Sequence, residues 1–188
     1  MKLLGSAAIV LAALTIAGCA STGTPEVELV GGSTMTVSPV SVDPADYDIQ
    51  GLGDEGVSFI SADGNIACGI ESTAEFGDFY GCYITDYTYT DPTRPEGTQV
   101  PCGHGFQSRN GEAPELLCSG EPAPFAGVKE FGNPDVKVLE SGFQIEHNGI
   151  TCAVTRVVDV ENTTESDVVT CENENGGFEL SKNSYELF

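Results

Sequence analysis

The chain has 188 residues, with seven Lys or Arg against 29 Asp or Glu and a formal charge of −22 at pH 7. That length suits one domain around one hydrophobic core. A surface this acidic repels phosphate backbones and anionic headgroups, which sets aside nucleic-acid binding and polybasic membrane docking.

Residues 1–18 have the form of a removed signal segment. Lys2 opens a short basic region, and Leu3 to Ile16 is an apolar run too short to cross a bilayer as a mature helix. The run ends in Ile16-Ala17-Gly18-Cys19. An aliphatic residue and two small residues before a cysteine resemble the lipobox of bacterial lipoproteins, which implies that Cys19 is acylated and becomes the mature N-terminus. Lys2 would leave with the segment, so six basic residues then face 29 acidic ones, a formal charge of −23. With electrostatic docking disfavoured, membrane attachment rests on acyl chains, each buried methylene adding about 0.8 kcal/mol.

After Cys19 the composition turns to Ser, Thr, Gly, Pro and Val, as in Ser38-Pro39-Val40-Ser41 and Asp43-Pro44. No apolar period is sustained, so residues 19–46 read as a lipidated cysteine and flexible tether. Residues 47–188 read as the folded domain, beginning at Tyr47. Val57 and Phe59 start a short strand around Ser58, and Asp63-Gly64 turns into Ile66, Cys68 and Ile70 on one face. Tyr80, Cys82 and Ile84 give the return strand. Tyr87-Thr88-Tyr89-Thr90 is also strand-like, as are Val136 to Leu139, Phe143 to Glu146, and the runs ending in Cys152 and Cys171. No window keeps a helical stripe. The domain is expected to be all-β, a small disulfide-stapled sandwich or barrel built of antiparallel hairpins.

Six cysteines follow Cys19, an even number that reads as a disulfide framework outside the cytoplasm. Of about fifteen pairings, one is favoured by turn position. Cys68 and Cys82 centre on residue 75 in Thr73-Ala74-Glu75-Phe76-Gly77-Asp78, Cys102 and Cys118 on Asn110-Gly111, and Cys152 and Cys171 on the polar loop Glu161 to Asp167. Antiparallel neighbours lie about 4.5 to 5.5 Å apart, within disulfide reach. The expected bridges are Cys68–Cys82, Cys102–Cys118 and Cys152–Cys171.

Phe59-Ile60-Ser61-Ala62-Asp63-Gly64-Asn65-Ile66-Ala67-Cys68, then Gly81-Cys82, Gly149-Ile150-Thr151-Cys152, Val169-Thr170-Cys171 and Gly177-Phe178-Glu179-Leu180-Ser181-Lys182, resemble a family of actinobacterial secreted proteins and lipoproteins. The likeness covers about Tyr47 to Phe188. It departs at Ala62, where the family pattern has Pro, and in the longer loop from Val158 to Asp167. The resemblance implies a compartment and a lineage, and carries no activity or site.

Candidate chemistry is sparse. His104 follows Cys102, but a cysteine in a disulfide offers no thiolate and a lone imidazole does not hold zinc; His147 precedes an Asn-Gly turn and is expected to be exposed. Ser108 lies on a hairpin with no recognisable base. Calcium is the one ion the sequence invites, through Asp43, Asp46, Asp48, Asp54 and Glu55, or through Glu172, Asn173, Glu174 and Asn175, although neither run has EF-hand spacing. No cofactor is otherwise expected. The favoured reading is a lipid-anchored extracytoplasmic module of the cell envelope that binds a protein, glycan or lipid, with Phe79, Tyr80, Tyr83, Tyr87 and Tyr89 as its ligand surface. The alternative is a secreted hydrolase acting on envelope polymers through paired carboxylates.

Overall fold

The computed structural model describes residues 26–29, 35–48, 55–73, 77–90, 102–118, 136–159 and 164–188. Where Ile, Val, Phe, Tyr and Thr recur at alternate positions the chain is extended, because branched and aromatic side chains pack well on a pleated surface. The strands are β1 (Glu26–Leu29), β2 (Met35–Ser38), β3 (Val40–Ser41), β4 (Glu55–Ser61), β5 (Ile66–Thr73), β6 (Gly77–Ile84) and β7 (Cys102–Arg109), followed by β8 (Glu115–Cys118), β9 (Lys137–Leu139), β10 (Phe143–His147), β11 (Ile150–Asp159), β12 (Thr164–Asn173), β13 (Gly176–Ser181) and β14 (Tyr185–Leu187). A 3-10 turn spans Pro44–Tyr47, where the Asp43 carboxylate accepts from the Ala45 N–H at 3.0 Å.

Two six-stranded sheets hold the core between them, in the manner of a sandwich. Sheet I runs β14-β13-β12-β11-β10-β3 and sheet II runs β8-β7-β6-β5-β4-β9, while β1 and β2 form a separate ribbon. Consecutive strands pair antiparallel, as the local hairpins require. At one edge of each sheet the pairing is parallel, β3 with β10 and β4 with β9, Val40 lying opposite Phe143 and Phe59 opposite Lys137. Phe59, Ile66, Ile70, Ile84 and Phe106 of sheet II meet Ile145, Val154, Val169, Phe178 and Leu180 of sheet I, all essentially without solvent exposure. Each such side chain contributes about 1.5 to 3 kcal/mol on burial.

The bridges are Cys68–Cys82, Cys102–Cys118 and Cys152–Cys171, the pairs given by the turn midpoints. In each, the two cysteines are direct cross-strand partners. Their Cα atoms lie 4.1, 3.9 and 4.1 Å apart. At the middle turn, Asn110 and Gly111 have φ of 53° and 70°, the left-handed conformation that Asn-Gly supplies at low cost. The centres of the other two turns fall at or beside residues 74–76 and 160–163, outside the described residues. Two bridges meet at the centre of the sandwich, where Cys82 Sγ lies 3.6 Å from Cys171 Sγ. Neither sulfur carries a hydrogen, so this is van der Waals contact between the sheets.

Several local expectations change. Tyr87 to Thr90 is not a strand but a strap between the sheets: the Thr88 N–H donates to the Lys182 carbonyl at 2.8 Å, and the Thr88 hydroxyl to Asn183 Oδ1 at 2.9 Å. Alternating Tyr and Thr mimic a strand, yet here the backbone leaves sheet II to reach the β13–β14 turn. Thr164 to Asp167 belongs to β12 rather than to a loop, since Asp159 pairs with Thr164 and Arg156 with Asp167. Within the stretch assigned to the tether, β1, β2, β3 and the 3-10 turn are regular, and Val42 packs against the core. A two-residue strand has no period to detect, which hides β3 from sequence reading. His147 is half-buried rather than exposed, because it ends β10 opposite Ile150.

Candidate functional site

The β4–β5 turn fixes one end of a groove. Ser61, Asp63 and Asn65 fold it locally: the Ser61 hydroxyl and the Asn65 N–H donate to Asp63 Oδ1 at 2.7 and 2.9 Å, and Gly64 takes a φ of 74°. Across the sandwich, Asp63 and Asp167 exchange bonds. The Asp63 N–H donates to Asp167 Oδ2 at 2.7 Å, and the Asp167 N–H to Asp63 Oδ2 at 3.1 Å. Asp167 Oδ1 also accepts from the Ser141 hydroxyl at 2.7 Å and from Arg156 Nε at 3.3 Å. Two aspartates thus clasp sheet II to sheet I.

Above the clasp opens a groove of about 490 Å³. Its lining includes Ile60, Asn65, Tyr83, Asp86, Glu165 and Lys182. Its polar walls are braced. The Asn65 side-chain amide bonds the Asp86 backbone in both directions at 2.8 Å, Lys182 Nζ pairs with the Asp86 carboxylate, and Arg156 meets Glu165 at 3.6 Å. Braced walls lower the ordering cost of binding.

A ring ladder runs from the groove into the core. Tyr83 stacks on His104 at 5.4 Å, Tyr87 stands edge-on to His104 at 5.3 Å, and Tyr87 stacks on Tyr89 at 4.4 Å. Tyr89 meets Tyr185 at 5.2 Å, and Tyr185 meets Phe106 at 5.2 Å. Offset and edge contacts of this kind add about 0.5 to 1.5 kcal/mol each beyond burial. The Tyr89 hydroxyl donates to the Gly103 carbonyl at 2.6 Å, which anchors the strap on β7.

Of the expected ligand surface, Tyr83 lines this groove, while Tyr87 and Tyr89, also half-buried, join it through the ring ladder. Phe79 and Tyr80 are not part of it. Phe79 is buried with the Arg109 guanidinium 5.4 Å over its ring, and Tyr80 faces the core, its hydroxyl donating to the Gly176 carbonyl at 3.2 Å. Burial pushes the Tyr80 phenol above its ordinary value, offset in part by Ser108. Strand alternation alone cannot reveal that both faces of β6 are covered, so it does not show that this pair is buried; Tyr80 also lines the smaller groove described below.

Other candidates separate. Ser108 is buried, with its hydroxyl donating to the Glu112 carbonyl. Asp43 caps the 3-10 turn and Asp46 faces Lys137 at 3.6 Å, while Asp48 bridges to Val57; Asp54 lies outside the described residues. Asn173, Glu174 and Asn175 line a second groove of about 210 Å³ with Asp78 and Asn148. Asn173 Oδ1 accepts from the Asn175 N–H at 2.8 Å. The sulfurs of Cys68, Cys82 and Cys171 lie within 4.8 Å of one another, but each is in a bridge and offers no thiolate to a metal. Cys19 and residues 1–18 lie outside the described residues.

The clasp brings two carboxylates together. Burial acts to raise the Asp63 pKa, but bonds from Ser61, Asn65 and Asp167, with the nearby Arg156 charge, outweigh it and hold the group below its ordinary 3.8. A general acid needs the opposite shift. The Asp167 side chain is wholly shielded. Sequence reading missed Asp167, Ser141 and Arg156 because nothing local marks three residues that meet only when the sheets pack. The chain matches no model of a known protein family, no curated protein and no solved structure.

Proposed function

We propose that the chain is a lipid-anchored extracytoplasmic module of the cell envelope, which binds its ligand in the groove between the β4–β5 turn and the Tyr87 strap. The observation that carries this reading is the braced groove lined by Tyr83, whose ring stacks on His104 and through it joins Tyr87 and Tyr89. Aromatic faces beside fixed polar groups suit a ligand with both apolar and hydrogen-bonding surface. Three bridges support an oxidising compartment, and Ile16-Ala17-Gly18-Cys19 supports acylation. The hydrolase reading is the weaker one, because it needs a carboxyl kept protonated near neutrality and the Asp63 environment acts in the other direction.

The chain has six tyrosines and no tryptophan, and four of the six, Tyr83, Tyr87, Tyr89 and Tyr185, belong to the ring ladder, so tyrosine emission is sensitive to it. Envelope glycan, lipid and peptide fractions are titrated against the full chain and against Tyr83→Ala and Tyr87→Ala. One fraction should change the emission of the wild type, and each substitution should weaken that response about tenfold or more. Silence from every fraction overturns the binding role. Detergent-phase partition of the wild type, lost in Cys19→Ser, tests the anchor separately.

A further inference from the structure

Cys68, Cys82, Cys152 and Cys171 all have zero solvent exposure, and the bridges they form belong to different sheets. Cys82 Sγ touches Cys171 Sγ at 3.6 Å, and Cys68 Sγ lies within 4.8 Å of Cys171 Sγ. Thiol–disulfide exchange needs a thiolate beside a disulfide sulfur, and it passes through a linear arrangement of three sulfurs. The sandwich core places three sulfurs together, with a fourth, Cys152, bonded to Cys171 as the leaving group. Ordinary structural staples stand apart, so that opening one leaves the others unaffected.

We infer that the two buried bridges form one exchange unit, in which a thiolate released in one sheet is passed to the other. A dithiol reductant opens Cys68–Cys82, becoming a disulfide itself and leaving two electrons and two protons on the protein as the Cys68 and Cys82 thiols. Cys82 gives up its proton to solvent hydroxide, and its thiolate attacks Cys171 Sγ. The Cys82–Cys171 bond forms as Cys171–Cys152 breaks, the electron pair leaves on Cys152 Sγ, and Cys152 takes up a proton. No electrons are gained or lost in this second step. The product links sheet II to sheet I across 89 residues, in place of local links across 14 and 19. The longer loop restricts the unfolded chain more than either hairpin bridge alone, though less than the two together. A two-electron reduction thus exchanges two hairpin bridges for one link between the sheets.

The internal step needs no second reductant, whereas opening the first bridge needs one, so the test begins with the thiol already present. The full-length chain carrying Cys68→Ser is held at mildly alkaline pH, where thiolate is favoured, then acid-quenched, alkylated and digested without reduction. A Cys82–Cys171 peptide and an alkylated Cys152 are expected, in about tenfold excess over any other new pairing. The same protein in concentrated urea should scatter its pairings. Cys82 alkylated with Cys152–Cys171 intact overturns the inference, and so does one pattern common to native and urea samples. Should Cys68→Ser fail to fold, Cys68→Ser/Cys152→Ser decides: oxidised glutathione should join Cys82 to Cys171, and recovery of both as alkylated thiols overturns the proposal.

Discussion

Sheet II and the far half of the β11–β12 hairpin are both built from well-paired β-strands, yet their surroundings are opposite. In sheet II, Gly56 to Ser61 and Ile66 to Glu71 are buried at every position, so both faces of the sheet are covered. In β11–β12, β10 accompanies β11 only as far as Val154 and β13 accompanies β12 only as far as Val168. Beyond that point the two strands pair with each other alone, and the adjacent Val157 and Val158 are 52% and 53% exposed. Strand pairing therefore says little about burial. Substitutions of similar chemistry should have large effects in the first region and small ones in the second.

The largest difference is expected at glycine. Gly105 lies opposite Tyr83 with a φ of 146°, and a methyl group there would stand 1.9 Å from the Cys82 carbonyl oxygen. The oxygen belongs to the backbone and the methyl is fixed rigidly to it, in a sheet covered on both sides, so neither can yield without moving β6 or β7. Gly105→Ala should cost about 3 kcal/mol or more. Gly149, in the β10–β11 turn of sheet I, has a φ of 74° and no atom within 4 Å of the added methyl. Gly149→Ala should cost about 1 kcal/mol, from backbone strain alone. Urea midpoints at matched slope measure both, and equal losses would remove the contrast.

The clasp is where the two regions meet, because Asp63 belongs to sheet II's turn and Asp167 to the far half of β12. Asp167→Asn replaces one accepting oxygen with a donor, and each oxygen already receives donors, from Asp63 or from Ser141 and Arg156. Any orientation of the amide sets donor against donor. The expected loss is about 1 to 3 kcal/mol. Asp63 adds a pH dependence. Its folded pKa is depressed below 3.8, so the stability it contributes is present above that value and falls as pH drops through the folded one. Thermal melts from pH 6 to pH 2 should show this acid-side loss, and Asp63→Asn should flatten it. An unchanged slope in Asp63→Asn would mean that other carboxylates govern the acid limb.

Much of the fold is readable in the chain because its hairpins are local. Cys68, Cys82, Cys102, Cys118, Cys152 and Cys171 straddle their own turns, so turn position fixes partners without knowledge of the sheets. The parallel outer pairings are hidden, since Phe59 with Lys137 and Val40 with Phe143 join distant segments of two or three paired residues. The groove was only half legible. Tyr83, Tyr87 and Tyr89 stand out by type, but Lys182 reaches Asp86 from the other sheet and Asp167 reaches Asp63 across 104 residues. Tyr80 and Phe79 misled for a related reason: adjacent aromatic residues on a strand imply one exposed face only where the sheet is covered on one side.

The smallest effect should come from the far half of the hairpin. Val157→Thr and Val158→Thr exchange a methyl for a hydroxyl at half-exposed sites with no third strand beside them, where water can satisfy the new group. Each should stay within about 0.5 kcal/mol of the wild type. Val154 and Val169 lie on the same two strands, fully buried in the core. There the hydroxyl loses water, and Val154→Thr or Val169→Thr should cost about 1 to 3 kcal/mol. Residue type and secondary structure are constant across this series, so the difference isolates burial. If Val157→Thr proved as costly as Val154→Thr, the far half would be covered by something in solution, and the search for that cover would begin at Val157 and Val158.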